Sequence, residues 1–137
     1  MSQVLVDTNI LLDILTEDNA WFDWSARALE RSAAQAQLCI NATIYAEVSM
    51  GFDRIEDLDA ALPVSDFTRL SLPWEAAFLA GKAFLRYRRA GGVRRSPLPD
   101  FYIGAHAAIA RVPLLTRDAR RYRSYYPTLQ LICPDAA

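Results

Sequence analysis

Four acidic side chains stand apart because their neighbours are apolar. Asp7 ends the run Val4-Leu5-Val6, and Glu47 lies among Ile44, Tyr45, Ala46 and Val48. Asp100 opens a stretch leading to Ile103, Ala107 and Ala108, and Asp118 follows Leu114-Leu115-Thr116. Other acids, such as Glu56, Asp57 and Asp59, sit in plainly polar surroundings. Singly, each of the four has a structural reading. Asp7, Asp100 and Asp118 can be helix caps, and Glu47 a solvated helix residue. Together they have a chemical one. Crowded carboxylates repel one another, so a cluster of them calls for a divalent cation. Oxygen donors without His or Cys suit Mg2+, with Mn2+ as a substitute, rather than zinc. One or two such ions can activate water and stabilise a leaving oxygen in phosphodiester hydrolysis. The chain offers no nucleophile of its own, so water is the expected attacker.

The elements that must bring these acids together are legible in the periodicity. Val4-Leu5-Val6 has no polar alternation and predicts a strand buried on both faces, with Asp7 at its carboxyl end. Ligands of open parallel sheets bind beyond that end. Thr8 or Asn9 can cap a helix over Ile10–Leu15. Trp21, Trp24, Ala28 and Leu29 recur at helical spacing up to about Gln35. Leu38-Cys39-Ile40-Asn41 predicts a second strand, and Thr43 can cap a helix through Val48 that Gly51 ends. Ile55, Leu58, Ala61 and Leu62 make a short helix stopped at Pro63. Phe67–Leu72 predicts a third strand. Pro73 suits a first helical position, ahead of a stripe of Trp74, Ala77, Phe78, Gly81, Phe84 and Leu85 that runs to about Arg89. Residues 90–99, with two glycines, Arg94, Arg95 and two prolines, form the one clear loop, expected to be mobile between Gly91 and Ser96 and close to the acids. Val112–Leu115 leads to a fourth strand ending near Asp118, and Leu129–Ile132 predicts a fifth. Strands alternating with helices give an α/β fold with a parallel sheet between helix layers. Strand carboxyl ends share one edge, so all four acids are expected there.

A chain of 137 residues makes one domain, 1–137. With 53% hydrophobic and 23% charged residues it reads as an ordinary water-soluble protein. No apolar run approaches the ~20 residues a membrane helix needs, no secretory signal is apparent, and a cytoplasmic location is expected. Cys39 and Cys133 lack metal-type spacing and read as free thiols. The net charge of −1 hides a division: residues 1–80 carry −9 and residues 81–137 carry +8. Such a division can mark a nucleic-acid partner, or vanish when folding intermixes the halves.

Four stretches in order carry a family resemblance: Val6-Asp7-Thr8-Asn9, Asn41-Ala42-Thr43-Ile44-Tyr45-Ala46-Glu47, Pro99-Asp100, and Leu115-Thr116-Arg117-Asp118. Over essentially its whole length the chain resembles a PIN-domain ribonuclease of the VapC toxin type. The resemblance implies a PIN-like three-layer sandwich around a five-stranded parallel sheet, and a magnesium-dependent endoribonuclease leaving 5′-phosphate and 3′-hydroxyl ends. It implies that Asp7, Glu47, Asp100 and Asp118 form the catalytic, metal-binding set, with Asp7 and Asp100 as primary ligands and Asn9 and Thr116 as polar support. It implies an RNA substrate, an antitoxin partner and a homodimer. The family sheet order would also keep Cys39 and Cys133 apart. Phe101-Tyr102 departs from the family's smaller residues and is expected to narrow the pocket or alter partner fit.

Three further groups are singled out by their types. Arg94, Arg95 and Arg117 are candidate RNA-phosphate contacts, because Arg forks match phosphate oxygens. Ile14, Leu15, Trp21, Phe22 and Trp24 are either core or part of a groove for a partner helix. His106 lies six residues past Asp100, about 240° around a helix, and is expected to be a surface or packing residue facing away from that carboxylate. Two rival functions differ in class. A catalytically inert PIN-like module would bind RNA or protein without cleavage, and the intact acid set argues against it. A phosphatase or receiver domain would use Asp7 as phospho-acceptor. Asn9 stands where the phosphatase needs its second acid, and Lys82, the lone lysine, lies mid-helix rather than near the last strand.

Overall fold

A computed structural model describes residues 2–93 and 98–134. The elements run β1 (Gln3–Val6), α1 (Thr8–Leu15), α2 (Phe22–Gln35), β2 (Gln37–Ile40), α3 (Ala42–Ser49), α4 (Ile55–Ala61), β3 (Phe67–Arg69), α5 (Trp74–Arg89), α6 (Pro99–Ala110), β4 (Leu114–Leu115), α7 (Arg120–Tyr125) and β5 (Leu131–Ile132). The five strands form one parallel sheet in the order β3-β2-β1-β4-β5.

Val4, Leu5 and Val6 are all buried. Successive strand side chains point to opposite faces, so three buried in a row require helices on both faces of the sheet. That is the predicted layering. β1 sits at the centre because Val4, Leu5 and Val6 are apolar on both faces, and its register puts Leu5 opposite Cys39 on one side and Leu114 on the other. α1 packs on α2 and α3, α3 on α4 and α6, and α5 on α6.

The parallel register aligns the carboxyl ends. The Asp7 amide donates to Leu115 O (2.9 Å), the Thr116 amide to Ile132 O (3.0 Å) and the Leu70 amide to Ile40 O (2.9 Å). Asp7, Asn41 and Thr116, the residues just past β1, β2 and β4, therefore share one edge.

The structure corrects the sequence reading in several places. Asp7 caps α1, as one of its two readings held, in place of Thr8 or Asn9, its side chain accepting from the Thr8 amide. Asn41, rather than Thr43, caps α3 through the Ile44 amide. In both cases the residue ending the strand still has extended backbone, the geometry an N-cap requires, whereas the next residue is already helical. β3 ends at Arg69, short of Leu72, and β4 and β5 each have two residues. α7 was not foreseen: its sequence Arg-Arg-Tyr-Arg-Ser-Tyr gives too few apolar positions for a helical period. Arg94, Arg95 and Ser96, the centre of the expected mobile loop, lie outside the described residues.

Cys39 and Cys133 are both free. Three strand spacings, about 14 Å, separate β2 from β5, twice the reach of a disulfide.

Candidate active site

Asp7 is 5% exposed, yet a carboxylate needs partners when buried. It has them from four directions. The Thr8 amide donates to Oδ1 (2.8 Å). The Thr116 hydroxyl (2.8 Å), the Tyr122 hydroxyl (2.9 Å) and, more distantly, the Asn9 amide (3.4 Å) donate to Oδ2. These bonds favour the charged form, but burial outweighs them, and with the nearby Glu47 charge it lifts the Asp7 pKa to about 6. The position thus carries a carboxylate whose charge the surrounding protein does not fully compensate.

Thr116 spends its hydroxyl proton on Asp7 and its lone pairs on Asn9 Nδ2 (3.1 Å) and the Asp118 amide (3.1 Å). The Arg117 amide in turn donates to Asn9 Oδ1 (3.2 Å). Asn9 and Thr116 are therefore a scaffold linking the start of α1 to the loop after β4. Glu47, on α3, accepts a 2.6 Å bond from the Thr8 hydroxyl.

Asp100 stands in the first turn of α6, after Pro99, where the helix dipole favours an anion. Burial pushes its pKa up, while the Arg121 guanidinium beside it pulls down. Arg121 Nη1 lies 3.3 and 3.2 Å from the two Asp100 oxygens. Asp118, in the loop after β4, is exposed.

All four acids line one cleft of about 360 Å3, together with Thr8, Asn9, Leu12, Leu98, Pro99, Arg121 and Tyr122. Its donors are the hard oxygens a small divalent cation prefers, and the buried Asp7 carboxylate wants a counter-charge, so the residues present fit such an ion. The arrangement is open rather than closed. Among the described residues, no three acidic, His or Cys side chains stand close enough to enclose an ion, and a guanidinium holds Asp100 instead.

Other singled-out residues go elsewhere. Arg117 Nε pairs with Asp13 Oδ2 at 2.7 Å, which also accepts from the Ser25 hydroxyl (2.7 Å), and its guanidinium lies over the Trp21 ring. Asp13 is buried, so this places Arg117 as a brace between the loop after β4 and α1. Arg94 and Arg95 lie outside the described residues. His106 is buried, as the packing reading allowed, with Nδ1 2.9 Å from Asn41 Nδ2; burial lowers its pKa. Ile14 and Trp24 pack against the core, while Leu15 is partly exposed. Phe101 does not narrow the cleft: it is fully buried among Phe84, Tyr87 and Tyr125.

Sequence reasoning passed over two residues, Tyr122 and Gly104. Tyr122 reaches Asp7 from α7, and burial and the neighbouring acids hold its own pKa well above the ordinary phenol value. A β-carbon at Gly104 would meet the Tyr126 ring at 2.6 Å and the Tyr122 ring at 2.8 Å, so only glycine lets α6 approach α7 this closely. No spacing marks Tyr122 in the sequence, because Asp118 lies in the loop before α7 and the contact with Asp7 spans 115 residues.

Solved structures share this fold. The chain superposes on VapBC2 from Rickettsia felis bound to a promoter DNA fragment with a TM-score of 0.73 at 20% identity, covering 97% of this chain and 99% of the matched one. VapBC-1 from nontypeable Haemophilus influenzae gives 0.72 at 18% identity, covering 96% and 97%. A toxin–antitoxin complex from Klebsiella pneumoniae gives 0.66 at 24% identity, covering 94% and 95%. Among curated protein sequences, none matches the chain significantly. The PIN domain family model matches residues 4–126. That span begins in β1, takes in all four acids of the cleft and ends just past α7, and the chain belongs to the PIN domain family.

Proposed function

We propose that this protein is a magnesium-dependent endoribonuclease and the toxin of a toxin–antitoxin pair, acting as a homodimer on RNA. The observation that carries the nuclease reading is the acidic cleft at the carboxyl edge of the sheet, which a buried, under-compensated Asp7 lines together with Glu47, Asp100 and Asp118. The antitoxin partner is supported by the likeness to chains from VapBC complexes.

Asp7 and Asp100 would hold the cation, with Glu47 and Asp118 completing its surroundings. When bound, Mg2+ supplies charge to activate water and to stabilise the transition state and leaving oxygen. The chain's own residues do the positioning. Thr116 and Tyr122 fix Asp7 Oδ2, while Oδ1 accepts from the Thr8 amide and retains acceptor capacity toward the cleft. The Thr8 hydroxyl fixes Glu47. Asp118, exposed at the mouth, is suited to order water near a bound strand. No helix among the described residues is long and apolar enough to cross a membrane.

The test is incubation of total cellular RNA with the purified protein. Degradation with Mg2+ that stops in EDTA and is absent in Asp100→Asn supports the reading. RNA that binds but stays intact in Mg2+ or Mn2+ supports the inert-module alternative instead.

A further inference from the structure

Arg121 contacts the acid that the proposed nuclease would use as a metal ligand. We infer that Arg121 is an exchangeable internal cation: it neutralises Asp100 in the free protein, yields that carboxylate to the divalent ion, and then contacts the phosphate of the bound RNA. The inference rests on the nuclease reading and assigns within it a substrate-contacting residue.

The two arginine pairs of this edge differ in kind. Arg117–Asp13 is short, at 2.7 Å, and Asp13 is 3% exposed. Arg121–Asp100 is longer, at 3.2 Å, and both side chains are about one-third exposed, 36% and 31%. Charge-assisted bonds between these groups are normally about 2.7–2.9 Å. The first pair is a fixed brace. The second is loose and wet enough to exchange.

The Arg121 guanidinium is also supported without Asp100. It lies 5.5 Å from the Tyr87 ring centre and 5.4 Å from that of Phe101, two aromatic faces that keep a cation in place when its carboxylate partner leaves. Phe101 is fully buried and braced by Phe84 and Tyr125, so the platform is rigid. This gives the bulky residue after Asp100 a task.

There is space for the exchange. A second cleft of about 570 Å3 abuts the acidic one and shares Asp100, Asp118 and Arg121 with it; Tyr87, Ser124 and Tyr125 form its far side. Arg121 thus stands on the partition between the two. A strand whose scissile phosphate enters the acidic cleft would pass its next phosphate along this partition, where a planar guanidinium can take two phosphate oxygens.

The experiment compares wild type, Arg121→Gln and Arg121→Lys by two binding measurements that do not require turnover. Mn2+ alone is titrated calorimetrically without RNA. A short single-stranded 2′-O-methyl RNA, resistant to cleavage, is titrated in Mg2+ over a salt series. If Arg121 leaves Asp100 available only about one-fifth of the time, Arg121→Gln should bind Mn2+ about five-fold more tightly. It should bind the RNA about ten-fold more weakly, with a salt slope smaller by about 0.7, the loss of one phosphate contact to a single strand. Arg121→Lys, which keeps the charge but not the fork, should fall between on both. Unchanged Mn2+ affinity, or tighter Mn2+ with unchanged RNA affinity, overturns the assignment, as does a destabilised Arg121→Lys with wild-type binding of both probes. If the wild type binds Mn2+ and RNA while the variants match it, only the role of Arg121 fails. If the wild type binds neither, the nuclease reading fails and this inference with it.

Discussion

Asp7 concentrates the tension of this molecule in one side chain. Its folded-state pKa, near 6, lies above the ordinary 3.8 because burial opposes the charge. The metal-free folded state therefore holds a proton that the unfolded chain has released. Stability from this group is fully present below about pH 4 and is lost as pH rises through 6. A pKa raised by about two corresponds to about 3 kcal/mol. Urea denaturation of metal-free protein at about pH 4.5 and 7.5 should show about two-thirds of that fall, about 2 kcal/mol, and Asp7→Asn should remove most of it while raising stability at the higher pH. An equal pH dependence in the mutant would show that Asp7 is well compensated. Arg117 gives the opposite prediction. Arg117→Ala strands the buried Asp13 carboxylate with Ser25 alone, so it should destabilise the protein by about 3 kcal/mol, read as a lower urea midpoint. An effect near zero would mark the pair as an ordinary surface contact. Asp7 was legible because an apolar run ended on it. The brace was not, because Asp13 looked like one more helix acid and its partner lay 104 residues away.

At the scale of elements, the site depends on α7 being held against α6. Val4-Leu5-Val6 and Leu38-Cys39-Ile40 announced their strands by unbroken apolar character, and the fold followed from those and the intervening helices. α7 gave no such signal: its six residues have no apolar stripe, and what fixes it is tertiary, namely the Tyr122 hydroxyl on Asp7 and the Tyr126 hydroxyl on Phe101 O (2.7 Å). Propensity and period cannot report contacts made across the fold. Gly104→Ala should push the Tyr122 and Tyr126 rings away and cost about 1–3 kcal/mol by overpacking. Because Tyr122 moves with it, the substitution should also weaken Mn2+ binding although Gly104 touches no acid. A stable Gly104→Ala protein with wild-type Mn2+ affinity would show that the α6–α7 approach has slack. The caps were misplaced by one or two residues for a similar reason: a strand that runs straight into a helix lets its last residue be both strand end and cap.

For the whole molecule, the sheet's single carboxyl edge gathers acids from the starts of α1 and α6, from α3 and from the loop after β4. The split of negative first half and positive second half does not reduce to two faces: Asp13 of the first half meets Arg117 of the second at this edge. An ion that binds only the folded state stabilises by mass action, by about 2.7 kcal/mol at a hundred times its Kd. For a domain this size that raises the melting temperature by roughly 10 °C. Mg2+ should do so for the wild type and far less for Asp100→Asn; equal shifts in both would move the ion away from this cleft.

A metal-dependent nuclease centred on Asp7 is tested most directly by cleavage of a defined single-stranded RNA by wild type and Asp7→Asn, with end analysis of the fragments. Mg2+-dependent cuts leaving 5′-phosphate and 3′-hydroxyl ends are expected from the wild type. Asp7→Asn should be folded and, without metal, at least as stable, yet lose activity by about a hundred-fold or more, about 3 kcal/mol or more of transition-state stabilisation. Folded Asp7→Asn protein cleaving at the wild-type rate, or wild-type cleavage undiminished in EDTA, would contradict this reading of the site.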